Sequence, residues 1–432
     1  MTWRLHRPDV WWLAALTLLA LALRLIWISY ATADPTDGRF NDSVFYHLVA
    51  ENLANGGPYT SPYTLLPTAH FAPGYPFFLA GQYWIFGSNV TVAEVANAVV
   101  GAATVAALFV LALRLFDSRT ARIAALLLAV FPGQVLYTSS LFAEPLFAFS
   151  LMIALLLMVA ARDRGPAGGW YWFAAFGVAV GVAALVRPTG LALLAVAPVY
   201  WAISRSDWRA SLGWSAAALV VAGLVLLPWT VRNYRTMDSF LLITSSTGLN
   251  LWTGHHEGAN GGDDVPLNSP LEKYGPRTRP GGEVDISKAG YRLAWRFAKE
   301  NPDQEVLLVG KRFRALYLDG DAIGLDLNEW WGARPTIASG VKAVLRPLSN
   351  AYYYVVLAIS ALALVRWRRE RGEGPLMPVV AIVIFTLPHI FLFFGSSRYH
   401  FPLVPLFCLL AAWALAALPL PATPFARISS RR

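Results

Sequence analysis

Long apolar segments constrain this chain more than any other feature of its sequence. A helix needs roughly 20 apolar residues to cross a bilayer, and about ten segments approach or reach that length. They cover about 10–30, 92–115, 121–137, 140–161, 170–187, 188–204, 211–231, 347–366, 376–395 and 401–419. With 56% apolar and only 14% charged residues, the composition excludes an ordinary soluble globular protein. The sequence therefore predicts an all-α polytopic membrane protein with about ten transmembrane helices.

The positions of the basic residues predict how the chain is oriented. Arginine clusters fall in alternate short loops, at 114–122, 162–164, 205–209 and 366–371, and near both ends of the chain. The positive-inside rule assigns these loops and both termini to the cytoplasm. The net charge of +9 therefore reflects topology, and it does not indicate a nucleic-acid partner. The single cysteine, Cys408, excludes an internal disulfide and a cysteine-based metal site.

Two long loops, about 31–91 and 232–346, then face away from the cytoplasm. They divide the chain into an N-terminal transmembrane region (1–231), an outer loop region of small mixed structure (232–346) and a C-terminal transmembrane region (347–432). The first apolar segment lacks a small-residue cleavage site, which predicts an uncleaved helix.

Both outer loops contain patterns that predict short helices. In the first loop these are 42–55 and about 74–87, and the aromatic residues of the second suit a helix lying at the membrane surface. In the second loop the sequence predicts turns over Gly248–Gly262, a helix over 286–300, and a further helical run to about Tyr317.

Charged residues within or at the ends of the spans are few, and such residues are costly unless they are paired or used. The predicted topology brings all of them to the outward face: Arg24, Asp42, Glu144, Arg187, Arg232 and Arg398. Each has a plainer explanation. Asp42 stands where a helix N-cap would, Glu144 could be a helix-start carboxylate, and the arginines could snorkel or pair with a carboxylate. Their shared level in the membrane favours a common site.

Carboxylates and several cations beside aromatic residues suit a particular chemistry. Such a site can hold a phosphate attached to a lipid, stabilise the charge on that phosphate as it leaves, and deprotonate an incoming hydroxyl. Transfer of a sugar from a polyprenyl-phosphate donor needs all three. A nucleotide-sugar donor would need a cytoplasmic nucleotide-binding domain, and no predicted inner loop is long enough to form one.

The one cluster that could suggest a metal is His255-His256-Glu257, with Asp263-Asp264 downstream. Histidines and carboxylates can bind zinc or manganese. Adjacent histidines in a glycine-rich loop have no fixed convergent geometry, however, and contacts with solvent or an acceptor are the favoured interpretation. We predict no metal ligand and no required cofactor, although a divalent metal is compatible with the sequence.

Several short motifs, in order along about residues 10–419, resemble a known group of enzymes. They are Asp42 in the first outer loop, Ala72-Pro-Gly-Tyr-Pro76, Leu141-Phe-Ala-Glu-Pro145, Leu185-Val-Arg-Pro-Thr189, Leu227-Pro-Trp-Thr-Val-Arg-Asn-Tyr234, Gly248-Leu-Asn-Leu-Trp-Thr-Gly254 and Ser397-Arg-Tyr-His-Phe-Pro402. The combination resembles the multi-span glycosyltransferases of the C-type fold, and in particular the bacterial protein O-mannosyltransferase and lipid A aminoarabinose transferase family.

The resemblance implies an inverting hexosyl or pentosyl transferase in the bacterial cytoplasmic (inner) membrane, with an extracytoplasmic site and a polyprenyl-phosphate-linked sugar donor. It implies that Asp42 is the general base and that Glu144 orients Asp42 or the acceptor. The expected ligands of the donor phosphate or sugar are His70, Arg187, Arg232, Lys311, Arg398 and Tyr399. The expected acceptor or loop contacts are Tyr46, Asn250, His255 and His256.

The sequence departs from the family pattern at two places. Relatives often have two adjacent acids in the first loop, whereas here Ser43 follows Asp42. Relatives often carry a Lys-Pro-Pro triplet, whereas this chain has Phe71-Ala-Pro-Gly74, and we predict that His70 replaces the missing lysine. The outer loop region is also small, so a bulky glycan acceptor is not indicated.

Two other functions are compatible with a chain of this class. A flippase or transporter of lipid-linked sugars should carry its polar residues nearer the bilayer midplane, often on broken helices in repeated halves. A non-catalytic membrane scaffold would explain the spans but not the shared level of the charged residues. The sequence leaves open the sugar, the acceptor (protein, lipid or glycan), the polyprenol length and the oligomeric state.

Overall fold

A computed structural model describes residues 6–32, 42–164, 170–204, 208–263, 269–274, 279–330, 337–370 and 372–418. Over these residues the regular structure is helical, apart from one isolated bridge between Thr60 and Pro67. The α-helices are α1 (Arg7–Tyr30), α2 (Asp42–Ala54), α3 (Gly74–Phe86), α4 (Val90–Leu115), α5 (Ser118–Ala129), α6 (Pro132–Leu136), α7 (Glu144–Arg164), α8 (Trp170–Val186), α9 (Leu193–Ile203), α10 (Trp208–Met237), α11 (Thr247–Gly254), α12 (Gly282–Glu300), α13 (Pro302–Tyr317), α14 (Ile323–Trp330), α15 (Ser339–Glu370), α16 (Leu376–Phe391), α17 (Ser397–His400) and α18 (Val404–Ala416). Short 3-10 helices cover Tyr137–Ser139, Pro188–Ala192, Pro270–Lys273 and Phe401–Leu403.

The helices agree with a multi-pass membrane protein. Six of them in the described ranges are long and apolar enough to cross a bilayer: α1, α4, α7, α10, α15 and the run Ser397–Ala416. The pair Ser118–Ala129 and Pro132–Ser139 is apolar and long enough only when taken together, and it bends by 52° at its break, as a broken span or a re-entrant loop does. Shorter apolar helices, Trp170–Val186, Pro188–Ile203 and Leu376–Phe391, coincide with the three other predicted spans. The all-α polytopic class is confirmed, and the number of ten spans stays a prediction.

The core of the bundle is formed by α4, α7 and α18, whose apolar windows are mostly buried. Helix α4 packs against α1, α5 and α7, and α18 packs against α5 and α15. By contrast, most of the apolar surface of α1, α10 and α15 is exposed. Lipid tails are as apolar as these side chains, so helices on the outside of a membrane bundle keep apolar faces outward.

Helices α8 and α10 approach each other closely at two glycines of α8. A Cβ atom on Gly177 would lie 2.7 Å from the backbone oxygen of Ala218, and one on Gly181 would lie 2.6 Å from the Cβ of Val225. Membrane helices associate through such small residues because no water-driven force brings apolar faces together there. This contact sets the position of the chain just after α8, where Arg187 lies.

The segment predicted as the first outer loop, about 31–91, contains the two predicted short helices as α2 and α3. They pack against each other, and α3 also contacts α4 and α8. Tyr75 and Tyr83 of α3 are buried, whereas Trp84, Ile85 and Phe86 at its end are exposed. An exposed aromatic end is typical of a helix at the membrane interface.

In the segment predicted as the second outer loop, about 232–346, the predicted helices 286–300 and the run to Tyr317 are confirmed as α12 and α13. The prediction of turns over Gly248–Gly262 is wrong for its first part, because residues Thr247–Gly254 form α11. Helix α11 packs against α12 through Trp252, Ile286 and Ala289. Gly248 and Gly290 allow the two backbones to touch, and this packing outweighs the weak helix propensity of the segment.

Candidate active site

Four charged side chains from distant parts of the sequence meet at one end of the bundle. The Arg398 Nη2 donates a hydrogen bond to Oδ2 of Asp42 at 2.8 Å, and its Nε donates to Oε1 of Glu144 at 2.9 Å. Nη1 of Arg187 lies 2.5 Å from the same Glu144 oxygen. We call Asp42, Arg398, Glu144 and Arg187, in this order, the charge cluster.

Helix ends position every member of the charge cluster. Asp42 and Glu144 are the first residues of α2 and α7, where the helix dipole stabilises a carboxylate. Arg187 directly follows α8 and has an extended backbone, with φ −144° and ψ 128°. The next residue is Pro188, and proline disfavours the helical conformation of the residue before it. The Arg-Pro sequence therefore ends α8 and turns the guanidinium towards Glu144.

Burial increases along the charge cluster from Asp42 towards Glu144. The exposed fraction of the side chain is 23% for Asp42, 12% for Arg398 and 0% for Glu144, while Arg187 is 19% exposed. A buried charge is tolerated only when it is paired, and Glu144 has two guanidinium partners. The rings of Phe142 and Tyr399 lie 4.6 Å and 5.3 Å from the guanidinium carbons of Arg398 and Arg187, which adds cation–π contacts.

A cavity of about 510 Å³ opens beside the charge cluster, within the range usual for small-molecule sites. Its polar lining includes, besides Asp42, Arg187 and Arg398, the side chains of Tyr46, His70, Asn250, Asp263, His389 and Tyr399. An apolar wall is formed by Phe385, Leu392, Phe393 and Phe394. We call this cavity the main cavity. It combines paired cations with an apolar surface.

A second cavity of about 360 Å³ meets the main cavity at Asp42, His70 and Phe71, which line both. Hydroxyl groups dominate its polar lining, from Ser61, Tyr63, Thr64 and Thr68, together with Arg279 and Glu283. We call it the side cavity. The Asp42 carboxylate therefore lies at the junction of two spaces of different character.

Helix α2 and the loop before α3 form the wall between the two cavities. The ring of Phe71 packs on Phe45 at 4.7 Å and on Tyr46 at 5.1 Å. Burial raises the pKa of the Tyr46 phenol well above its ordinary value of 10, and the charge of Asp42 adds to this shift. Tyr46 therefore faces the main cavity as a protonated hydroxyl.

The loop that carries His70 is held by Glu283 from α12. One carboxylate oxygen of Glu283 accepts hydrogen bonds from the Ala69 amide at 2.7 Å and the Ser245 hydroxyl at 2.9 Å. The other accepts from the Thr68 hydroxyl at 2.7 Å. Glu283 of α12 thus fixes the edge of both cavities.

The structure brings together most of the side chains that the sequence analysis selected. Asp42, Tyr46, His70, Arg187, Asn250, Arg398 and Tyr399 all line the main cavity, and Glu144 lies directly behind Arg398. Arg232 does not join them. It donates hydrogen bonds to the carbonyl oxygens of Thr68 at 2.7 Å and Tyr59 at 2.6 Å, and it lines a separate apolar groove beside α10.

Lys311 also lies apart from the main cavity, because its side chain is on the exposed face of α13. Its neighbour Arg312 is completely buried and donates hydrogen bonds to the Gly254 carbonyl and to Glu305. Glu305 in turn pairs with His255 at 2.8 Å. We call His255, Glu305 and Arg312 the outer triad. It ties the end of α11 to α13, so His255 has a packing role here.

His256 stacks on Trp252, with ring centroids 4.9 Å apart, and it does not line the main cavity. Among the described residues, no three histidine, cysteine or acidic side chains converge as metal ligands would. Asp264 lies outside the described residues. Neither histidine lines the main or the side cavity, and their role as acceptor or loop contacts stays a prediction.

His389 of the main cavity was missed by the sequence analysis, and Asp263 was named there only as part of a possible metal cluster. His389 of α16 stacks on Tyr399 with a centroid distance of 4.3 Å, and its position inside an apolar segment was a usable signal. Asp263 lines the cavity from a glycine-rich loop, where no periodicity marks it.

Comparisons with known proteins agree with the motif pattern. Residues 70–231 match the family described as dolichyl-phosphate-mannose-protein mannosyltransferase. The chain is also similar to the undecaprenyl phosphate-alpha-4-amino-4-deoxy-L-arabinose arabinosyl transferases of Pseudomonas paraeruginosa and Pseudomonas aeruginosa, at 31% identity over 201 residues in each case. The aligned segment is 44% of this chain and 35% of each relative, so the chain spans about a third of the length of those proteins.

Solved structures share the fold at lower identity. The archaeal oligosaccharyltransferase AglB from Archaeoglobus fulgidus, in complex with an inhibitory peptide and a dolichol-phosphate, gives a TM-score of 0.59 at 16% identity, over 99% of this chain and 54% of that one. The apo form of the oligosaccharyltransferase from the same organism gives 0.57 at 18% identity, over 94% and 50%. The fold of these oligosaccharyltransferases, together with the mannosyltransferase family match over 70–231, confirms that the chain resembles the multi-span glycosyltransferases.

Proposed function

We propose that this protein transfers a sugar from a polyprenyl-phosphate donor to an acceptor hydroxyl, with inversion at the anomeric carbon. The observation that carries the proposal is the position of Asp42, at the junction of the main and side cavities and hydrogen-bonded to Arg398. The transfer occurs at the extracytoplasmic face of the bacterial cytoplasmic membrane, with both termini in the cytoplasm.

The donor occupies the main cavity in this proposal. Its phosphate binds the outward-facing side of Arg187 and Arg398, since guanidinium groups match phosphate oxygens in geometry and charge. The apolar wall that includes Phe385 and Phe393 takes the first isoprene units. His70, Asn250 and Tyr399 surround the sugar. The relatives from Pseudomonas, by name, use an undecaprenyl phosphate-linked aminosugar, which supports a donor of this class.

The acceptor approaches through the side cavity, whose hydroxyl-rich lining suits a polar group. The carboxylate of Asp42 accepts the proton from the acceptor hydroxyl, and the freed oxygen attacks the anomeric carbon. The bond from this carbon to the phosphate oxygen breaks, and its electron pair leaves with the polyprenyl phosphate. Attack from the face opposite the leaving group inverts the anomeric configuration.

Glu144 acts behind the reacting atoms. It is completely buried and holds both arginines, so it keeps two guanidinium groups close together despite their mutual repulsion. Because Arg398 connects it to Asp42, Glu144 also fixes the orientation of the base. The cations are thereby arranged before the donor arrives, and preorganised charges stabilise a leaving phosphate more than mobile charges do.

A panel of polyprenyl-phosphate sugars, incubated with the purified protein and candidate acceptors, tests the proposal. We expect one donor to be consumed, with polyprenyl phosphate and an inverted glycoside identified by mass spectrometry and NMR. Liposomes that contain labelled lipid-linked sugar provide the contrast with the flippase alternative. Movement of label between leaflets without any glycoside product would replace the transferase by a transporter.

A further inference from the structure

His400, two residues after Arg398, forms a buried pair with Asp321. Nε2 of His400 is 2.9 Å from Oδ1 of Asp321, and Nδ1 of His400 hydrogen-bonds to the carbonyl oxygen of Leu316. Both partners are almost completely buried, with 0% and 1% exposure. A carbonyl oxygen can only accept, so Nδ1 carries a proton. The contact between Nε2 and the carboxylate needs a proton on one of these two atoms to be a hydrogen bond.

Two tyrosine rings stack on the imidazole of His400. The ring of Tyr353 stacks on His400 with centroids 4.6 Å apart, and Tyr317 stacks at 6.1 Å. The Tyr353 hydroxyl donates to the carbonyl oxygen of Tyr317 at 3.1 Å, which links the two rings. A side chain bound at both nitrogens and stacked in this way has one available orientation.

Asp321 is itself anchored to a transmembrane helix. Its backbone amide donates to Oδ1 of Asn350 at 2.9 Å, and its carbonyl oxygen accepts from the Ser349 hydroxyl at 3.0 Å. Both partners belong to α15. Contacts therefore run without a break from α15 through Asp321 to His400, and His400 shares the four-residue helix α17 with Arg398.

We propose that Asp321 and His400 are positioning residues for Arg398: they fix α17 so that its guanidinium spans Asp42 and Glu144. This inference rests on the proposed function, because Arg398 is taken there as a ligand of the donor phosphate. The two hydrogen bonds of Arg398, at 2.8 and 2.9 Å, form together only if α17 is held in one position. A misplacement of about 1 Å in such an arrangement can lower a rate by about 10²-fold.

His400→Phe is the main test variant, since it keeps a ring that can stack on Tyr353 and removes both side-chain hydrogen bonds. We expect kcat/KM for the donor to fall by about 10²-fold. Asp321→Asn is the conservative variant: its amide can donate to an unprotonated Nε2, so it should retain most of the activity. Asp326→Asn is the matched control, because Asp326 lies in α14, a few residues after Asp321, and its carboxylate pairs with Arg346 of α15.

A double-mutant cycle separates positioning from a purely structural role. If His400 acts through Arg398, His400→Phe should lower donor kcat/KM by less than about threefold in an Arg398→Ala background. The rates are measured well below the melting temperature of each variant. Equal losses in both backgrounds would overturn the inference and leave the proposed function intact. If His400→Phe does not fold, Asp321→Leu and Asp321→Asn are compared in the same cycle.

Binding of undecaprenyl phosphate gives a readout that does not depend on turnover. We expect His400→Phe to weaken this binding only when Arg398 is present. If His400→Phe weakens binding in this way but the wild-type protein transfers no sugar, the proposed function is refuted and the positioning role is supported. Unchanged binding in the folded His400→Phe variant would refute the positioning role.

Discussion

Arg398→Lys tests whether the geometry of the charge cluster matters beyond its charge. The substitution keeps one positive charge but replaces a planar fork by a single ammonium group. In the structure, two different nitrogens of Arg398 are used: Nε donates to Glu144 and Nη2 donates to Asp42. We expect a lysine at this position to keep only one of these two contacts.

The size of the loss follows from the bond that disappears. A hydrogen bond to a charged group contributes about 1.5–3 kcal/mol. If the base is no longer oriented in the transition state, this energy corresponds to a fall of about 10- to 150-fold in kcat/KM. The assay is the initial rate of sugar transfer in proteoliposomes over a range of donor concentrations, with the melting temperature of each variant measured in parallel.

Arg187→Lys is the matched control for this prediction. The ion pair of Arg187 with Glu144 runs through Nη1, at 2.5 Å, and a single ammonium group can preserve one such contact. We expect a clearly smaller loss than for Arg398→Lys. Equal losses in the two variants would mean that charge alone matters, and near wild-type turnover of Arg398→Lys would refute the bridging role.

Three further predictions concern residues outside the charge cluster. Arg232→Ala should lower the melting temperature, because the carbonyl oxygens of Thr68 and Tyr59 lose a hydrogen-bond partner. The KM for the sugar donor should stay close to that of the wild type, and a large rise in this KM would mean that Arg232 binds the sugar donor. Burial, with a further contribution from Arg312, lowers the pKa of His255 below its ordinary 6.5 in the folded state. The unfolded chain then binds more protons below pH 6.5, so stability falls as the pH drops through this window, and thermal scans of His255→Gln should show a weaker pH dependence. Gly181→Val should destabilise the protein by about 1–3 kcal/mol or more, because its side chain would overlap Val225 of α10; an unchanged melting temperature would contradict the close α8–α10 contact.

Hydrophobicity made the bundle and the helices of the outer loops predictable. The short helices over 42–55, 74–87 and 286–300 were found because each carries a helical apolar pattern that ends at glycine or Asn-Pro. Helix α11 carries no such signal. It exists because α12 covers it, and contacts between segments distant in sequence cannot be read from the local pattern.

The site was predictable where a charge interrupts an apolar segment. Glu144, Arg187 and Arg398 stood out for this reason, and the structure joins them. Lys311 illustrates the limit of this reasoning. Successive residues of a helix point about 100° apart, so Arg312 faces the protein while Lys311 faces outward. The partner of His400 is Asp321, 79 residues away in the sequence, and no local sequence pattern predicts such a pair.

Asp42→Asn tests whether Asp42 is the general base of sugar transfer. The amide has almost the same shape and can still accept a hydrogen bond from Arg398, but it cannot take the proton of an acceptor hydroxyl. General-base catalysis typically contributes about 10²–10⁴-fold. We predict a loss of this size in turnover, with undecaprenyl phosphate binding and melting temperature nearly unchanged. Near wild-type turnover of a folded Asp42→Asn protein would contradict this prediction.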